Sequence, residues 1–119
     1  CSALIEIKGL DNFNTSNVTT MQNMFNNCNN LTTIDVSGFD TSNVTNMRWM
    51  FRDCHKFNQP LYKWNVSNVT NMENMFYQCY NFDRNISNWK VSNLNNADEM
   101  FDECPIEEKY KPKKLQYKN

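Results

Sequence analysis

The sequence predicts a repeat solenoid of four turns over residues 1–104, closed by a C-terminal cap and basic tail over 105–119. Three observations predict it. Ser16-Asn17-Val18 returns as Ser42-Asn43-Val44, Ser67-Asn68-Val69 and Ser92-Asn93-Leu94, at offsets of 26, 25 and 25. Met24-Phe25 returns in step as Met50-Phe51, Met75-Phe76 and Met100-Phe101, each Phe followed three residues later by Cys28, Cys54, Cys79 or Cys104. A fixed period of this length marks one structural unit stacked on copies of itself. The third observation is composition. With 39% hydrophobic residues and two Gly, the chain is lean for an ordinary core, whereas stacked turns bury one inner face against their neighbours.

The elements of one repeat follow in order. Cys1 shares the Cys column, because Leu4 follows it as Leu31 follows Cys28, Phe57 follows Cys54 and Phe82 follows Cys79. Leu31-x-x-Ile34-x-Val36 has the spacing of a leucine-rich-repeat strand, its apolar residues alternating inward. The counterparts around Leu61 and Ile86 are a residue shorter. An aromatic column comes next, at Phe13, Phe39, Trp64 and Trp89. From Val44 the apolar positions Val44, Met47, Met50, Phe51 and Cys54 fall at helical intervals, with Ser42, Asn43 and Thr45 as candidate N-caps. So few residues make a short helix or 3₁₀ turn; a second short strand over 44–47 is the alternative. The expected fold class is thus leucine-rich-repeat-like, with short parallel strands and one short helical turn per repeat. The columns Asn17, Asn43, Asn68, Asn93 and Asn46, Asn71, Asn96 should bond the backbone at the corners and the Asn of the next turn. That structural use also accounts for the sequons at Asn17, Asn43 and Asn68.

The pattern fails after Cys104, where Pro105 interrupts it and Glu107 stands in place of Leu or Phe. Ile106, Tyr110, Leu115 and Tyr117 are candidates to lie over the last turn, as an end cap must. The tail carries five Lys against Glu107 and Glu108, within a net charge of −1 for the chain. The opening Cys1 lies in mid-repeat, which points to further turns upstream; its rival identity is the lipidated first residue of a lipoprotein.

The unit Asp40-Thr41-Ser42-Asn43-Val44-Thr45-Asn46-Met47-x-x-Met50-Phe51-x-x-Cys54 resembles the 26-residue repeat of bacterial surface proteins related to the BspA-like leucine-rich repeats. Phe57-Asn58-Gln59-Pro60-Leu61-x-x-Trp64-Asn65-Val66-Ser67-Asn68-Val69-Thr70-Asn71-Met72 is similar to its commonest form. The resemblance covers residues 1–104 and implies a solenoid used for adhesion or protein interaction, at the cell surface or outside the cell in bacteria. Such repeats also occur in large DNA viruses, and the ending Cys104–Pro112 resembles terminal pieces of those members.

Chemistry finds little purchase. The Cys spacings of 27, 26, 25 and 25 are the repeat period, not the close pairs of a metal site, and buried free thiols are the expectation. His55 is the one histidine and has no nucleophile or carboxylate partner in pattern. Asp35, Asp40 and Asp83 lack calcium-loop spacing, and no phosphate-cradling glycine motif occurs. The sequence therefore predicts no enzyme, cofactor or metal. The near-neutral charge argues against nucleic acid, and no apolar run is long enough for membrane insertion.

Binding remains. Ladder positions build a scaffold, and positions that depart from consensus choose the partner. Those are Arg48, Trp49, Arg52, His55, Tyr62, Tyr77 and Tyr80, residue types that carry interface energy. Trp49 stands where the other repeats have Asn23, Asn74 and Glu99, and an exposed Trp is the leading candidate contact. The expected function is a non-catalytic module binding a protein or glycan. The alternative is an architectural spacer of a surface layer or virus particle, self-associating end to end. A binder gathers Arg48, Trp49, Arg52 and Tyr77 on one face, whereas a spacer scatters them and leaves Leu4 and Ile5 uncovered.

Overall fold

The computed structural model of the chain describes residues 4–10 and 13–117. The readings of Cys1, as a column member or a lipidated residue, lie outside them.

Each Met-x-x-Met-Phe-x-x-Cys segment is two consecutive β-turns rather than a helix. In the second repeat Met50 N–H donates to the Met47 carbonyl at 3.2 Å, and Cys54 N–H to the Phe51 carbonyl at 3.0 Å. The third residue of each such turn has positive φ: Asn23, Asn27, Trp49, Asp53, Asn74, Gln78, Glu99 and Glu103, all between 54° and 67°. A positive φ at that position alone is the type II pattern. Two left-handed residues in every repeat stop a helix from propagating. The amides freed in this way turn outward to the next repeat. Those of Met21, Asn23, Phe25 and Asn27 donate to the carbonyls of Asn46, Arg48, Met50 and Arg52 at 2.8–3.0 Å, and the two later junctions repeat the pattern.

The rest of the repeat is built from the same unit. Phe39 N–H bonds the Val36 carbonyl, Val44 that of Thr41, Trp64 that of Leu61 and Val69 that of Val66. The apolar residues at the two ends of each turn point inward, so apolar intervals of three arise from turns. Side chains of Asp or Asn lock the corners: Asp40 accepts from the backbone amide and hydroxyl of Ser42 at 3.0 and 2.6 Å, as Asn65 does from Ser67. The Ser hydroxyl and amide hold the Asp40 carboxyl below its ordinary pKa, as those of Ser37 do for Asp35.

These findings overturn the expected fold class. Among the described residues the repeats contain no strand and no α-helix, only isolated parallel bridges: Glu6 with Thr33, Thr20 with Asn46, Asn46 with Asn71, and Asn71 with Asn96. No sheet forms among the described residues, so the chain is neither leucine-rich-repeat-like nor a solenoid of parallel strands. The physical reasons are local. Pro60 brings no N–H to the segment that follows Leu31–Val36, and this repeat is a residue shorter, so the ladder cannot extend beyond Thr33. Around Asn46 the flanking corner and the left-handed residues bend the chain away. A radius of gyration of 13.1 Å and extents of 34 × 30 × 19 Å fit the roughly 13.5 Å expected of a globular chain this long.

What survives is the register. Phe25, Phe51, Phe76 and Phe101 stack face to face at 5.5, 5.7 and 5.8 Å, with Phe57 4.2 Å from Phe51. Trp64 and Trp89 donate indole N–H bonds to the carbonyls of Val36 and Leu61, at 2.9 and 3.0 Å. The amides of Asn43, Asn68 and Asn93 donate to the carbonyls of Ser16, Ser42 and Ser67, so this column binds backbone one repeat back. Among the described residues no side-chain bond joins one Asn of these columns to the next; Asn46 donates to Gln22 instead.

Two single-turn 3₁₀ helices, Glu108–Tyr110 and Lys113–Leu115, lie in the tail. Tyr110 accepts from the Ile86 amide, Ile106 is buried, and Tyr110 and Leu115 pack on the core. Tyr117 is 81% exposed and covers nothing.

Candidate interaction face

The middle residues of the tandem turns form four columns, outward-facing apart from the buried Asn74: Gln22, Arg48, Glu73, Asp98; Asn23, Trp49, Asn74, Glu99; Asn26, Arg52, Tyr77, Asp102; and Asn27, Asp53, Gln78, Glu103. The turn ends are bound in the core, so these side chains are held on one face by backbone that cannot slide. The second repeat carries both arginines and the tryptophan of these columns.

There the Arg48 guanidinium lies 4.0 Å from the centre of the Trp49 ring, and that of Arg52 lies 5.0 Å from it and 5.2 Å from the Tyr77 ring. Cation–π contacts of this kind are worth about 0.5–1 kcal/mol at open sites. Arg48 Nε donates to Glu73 Oε1 at 2.8 Å, and Arg52 Nη1 to Asp53 Oδ2 at 3.1 Å. Trp49 is therefore half-buried, not the exposed ring that the sequence suggested, because two guanidiniums flank it. His55 packs against Tyr80 at 4.7 Å, and Tyr80 is 48% exposed. Burial against its neighbours, then the charges of Glu103 and Asp53, raise the Tyr80 hydroxyl pKa. Tyr62 stands apart, 53% exposed beside Lys63, at a hollow shared with Pro60 and Arg84. The structure thus brings Arg48, Trp49, Arg52 and Tyr77 together, sets His55 and Tyr80 as a pair, and separates Tyr62.

Glu73 and Asp53 were missed in the sequence. The signal was present for Glu73, which is the opposite charge in Arg48's own column one period on. Inside the cluster Trp49 Nε1, Arg52 Nε, Asp53 Oδ1 and His55 Nε2 are closed from solvent with no hydrogen-bond partner among the described residues.

The Cys column runs behind this face. Cys54 and Cys79 donate S–H bonds to the carbonyls of Phe25 and Phe51, at 2.9 and 3.0 Å. Burial pushes the Cys54 thiol up to about 12 and that of Cys104 to about 11, and raises Cys79 as well. Cys54, Cys79 and Cys104 are free thiols, whereas Cys28 is disulfide-bonded, which corrects the all-thiol expectation. Among the described residues no group of three or more His, Cys, Asp or Glu is placed to hold a metal ion. No helix among them is long and apolar enough to cross a membrane.

No curated protein and no solved structure matches this chain. A family match spans residues 2–112, nearly the whole repeat region and the first half of the tail, and on that extent the chain belongs to the family described as "Mycoplasma protein of unknown function, DUF285".

Proposed function

We propose that the chain is a non-catalytic interaction module that binds a protein partner through the face built by Arg48, Trp49, Arg52 and Tyr77. The observation that carries this is the contact geometry: two guanidiniums enclosing one indole, with a tyrosine beside them, on turns anchored in the core. Trp, Tyr and Arg are the residues that concentrate binding energy. Rigid backbone lowers the ordering cost of using them. Tyr80 extends the same patch past Asp53.

A displayed peptide library and a glycan array, probed in parallel with the wild type and Trp49→Ala, test the reading. Peptide ligands whose affinity falls at least tenfold in Trp49→Ala support it. Ligands that bind both forms equally, or glycans alone, overturn it.

A further inference from the structure

Each junction between repeats pairs four amides of one repeat, at every second residue, with four carbonyls of the next. In the fourth repeat the same amides belong to Ala97, Glu99, Phe101 and Glu103, and none has a partner among the described residues. The chain continues past this edge without covering it. The tail places its carbonyls elsewhere: Tyr110 accepts from the Ile86 amide, and Glu107, Glu108, Pro112 and Lys113 accept within the tail's own turns. The amide row is thus the floor of a groove of about 510 Å³, with Lys111 and Leu115 of the tail as its far wall.

Three properties of the groove define an occupant. Its amides need an acceptor at every second residue, which one edge of an extended peptide supplies. Its floor is partly apolar, since Phe101 is half-buried whereas Phe51 and Phe76 of the same column are fully covered. Its rim is acidic: Asp98, Glu99, Asp102 and Glu103 are exposed, and no cationic side chain pairs with them among the described residues. Lys111 does not compensate them, because it pairs with Glu108 at 2.9 Å. Rows of free amides draw anions, but four carboxylates repel an anion here. Neutral carbonyls flanked by cationic side chains suit both features.

We infer that this groove binds an extended basic peptide segment of a partner protein. Its backbone carbonyls accept from the amides of Ala97, Glu99, Phe101 and Glu103, as the carbonyls of a following repeat do at the three internal junctions. Successive side chains of an extended segment point to opposite sides. One set covers Phe101 and Leu115, and the other brings Lys or Arg to Asp98 and Asp102. Main-chain bonds of this kind give affinity, and the side-chain positions give specificity. The contact uses no residue of the Trp49 cluster.

Amide hydrogen exchange and a peptide titration, both read by NMR on the full chain, test this. In the free protein the amides of Ala97, Glu99, Phe101 and Glu103 should exchange far faster than those of Met72, Asn74, Phe76 and Gln78, which hold the same positions inside a junction. The probe is an octapeptide of alternating Lys and Val, with alternating Glu and Val as the control. The basic peptide should shift the four amide signals to saturation and slow their exchange, and the acidic one should do neither. Asp98→Lys combined with Asp102→Lys, both at exposed positions, should weaken the basic peptide by about tenfold or more with the spectrum otherwise unchanged. Trp49→Ala should bind it like the wild type, which separates this groove from the face proposed above. Slow exchange of the four amides in the free protein overturns the inference. So does a basic peptide that fails to saturate, equal binding of the acidic peptide, undiminished affinity in the double variant, or loss of binding in Trp49→Ala.

Discussion

Replacing Glu99 by Gly and, separately, by Ala gives opposite orders of stability for a turn and for a helix. Glu99 is exposed, its φ is +54°, and its side chain makes no hydrogen bond or ion pair among the described residues. In a helix Gly would be the worse residue by about 0.8–1.0 kcal/mol. In the left-handed region a Cβ costs roughly 1–2 kcal/mol, which Gly removes. Gly also gives the unfolded chain more freedom, worth about 0.5–1 kcal/mol against it. The balance makes Glu99→Gly more stable than Glu99→Ala by about 0.5–1 kcal/mol, a few degrees in Tm for a domain of this size. Urea unfolding followed by tryptophan fluorescence at low protein concentration measures the difference directly. If the Ala variant proves equal or better, the tandem-turn backbone is wrong at this position.

Three further outcomes follow from the packing and the charges. Phe51, fully buried between Phe25, Phe57 and Phe76, should lose about 3–5 kcal/mol on change to Ala, enough to unfold a marginal domain; calorimetry on Phe51→Ala and the milder Phe51→Leu checks it. Because Asp35 and Asp40 are held below their ordinary pKa by Ser37 and Ser42, their contribution is present above the unfolded value near 3.9 and lost as pH falls through the lower folded value. Asp40→Asn keeps the accepting oxygen, as Asn14 and Asn65 do in the same column, and should flatten the acid limb of a stability–pH curve while Asp40→Ala weakens the fold at every pH. Cys54 and Cys79, buried with raised pKa, should resist alkylation at pH 8 until the chain unfolds, whereas the half-buried Cys104 should label first by mass spectrometry.

Much of the candidate face was legible because repeats turn linear spacing into adjacency. Arg48, Trp49, Arg52 and Tyr77 are the cationic and aromatic members of three adjacent columns that are otherwise Asn, Gln or acidic, and residues one period apart become neighbours in space. Tyr62 broke a column too, but lies where the chain has already turned a corner, so its departure brings it to a different surface. That Trp49 is half-buried was not legible. Its enclosure depends on where the Arg48 and Arg52 side chains fold back, and neither position reveals this alone.

The sequence by itself determined the repeat register, the buried columns and the failure of the pattern at Pro105, since each depends only on which side chains recur and at what interval. Leu31, Phe51, Trp64, Val69 and Met75 are all buried as that periodicity requires. The backbone conformation between those columns was decided by tertiary structure. Apolar residues three and four apart suit a helix and a pair of type II turns equally well. Of the side chains at the left-handed positions, Asn23, Asn27, Asn74 and Asp53 tolerate that conformation locally, but Trp49, Gln78, Glu99 and Glu103 have no local preference for it. The choice falls to the amides, which find carbonyls of the neighbouring repeat at 2.8–3.0 Å, and twelve such bonds across three junctions outweigh the local cost of the turns.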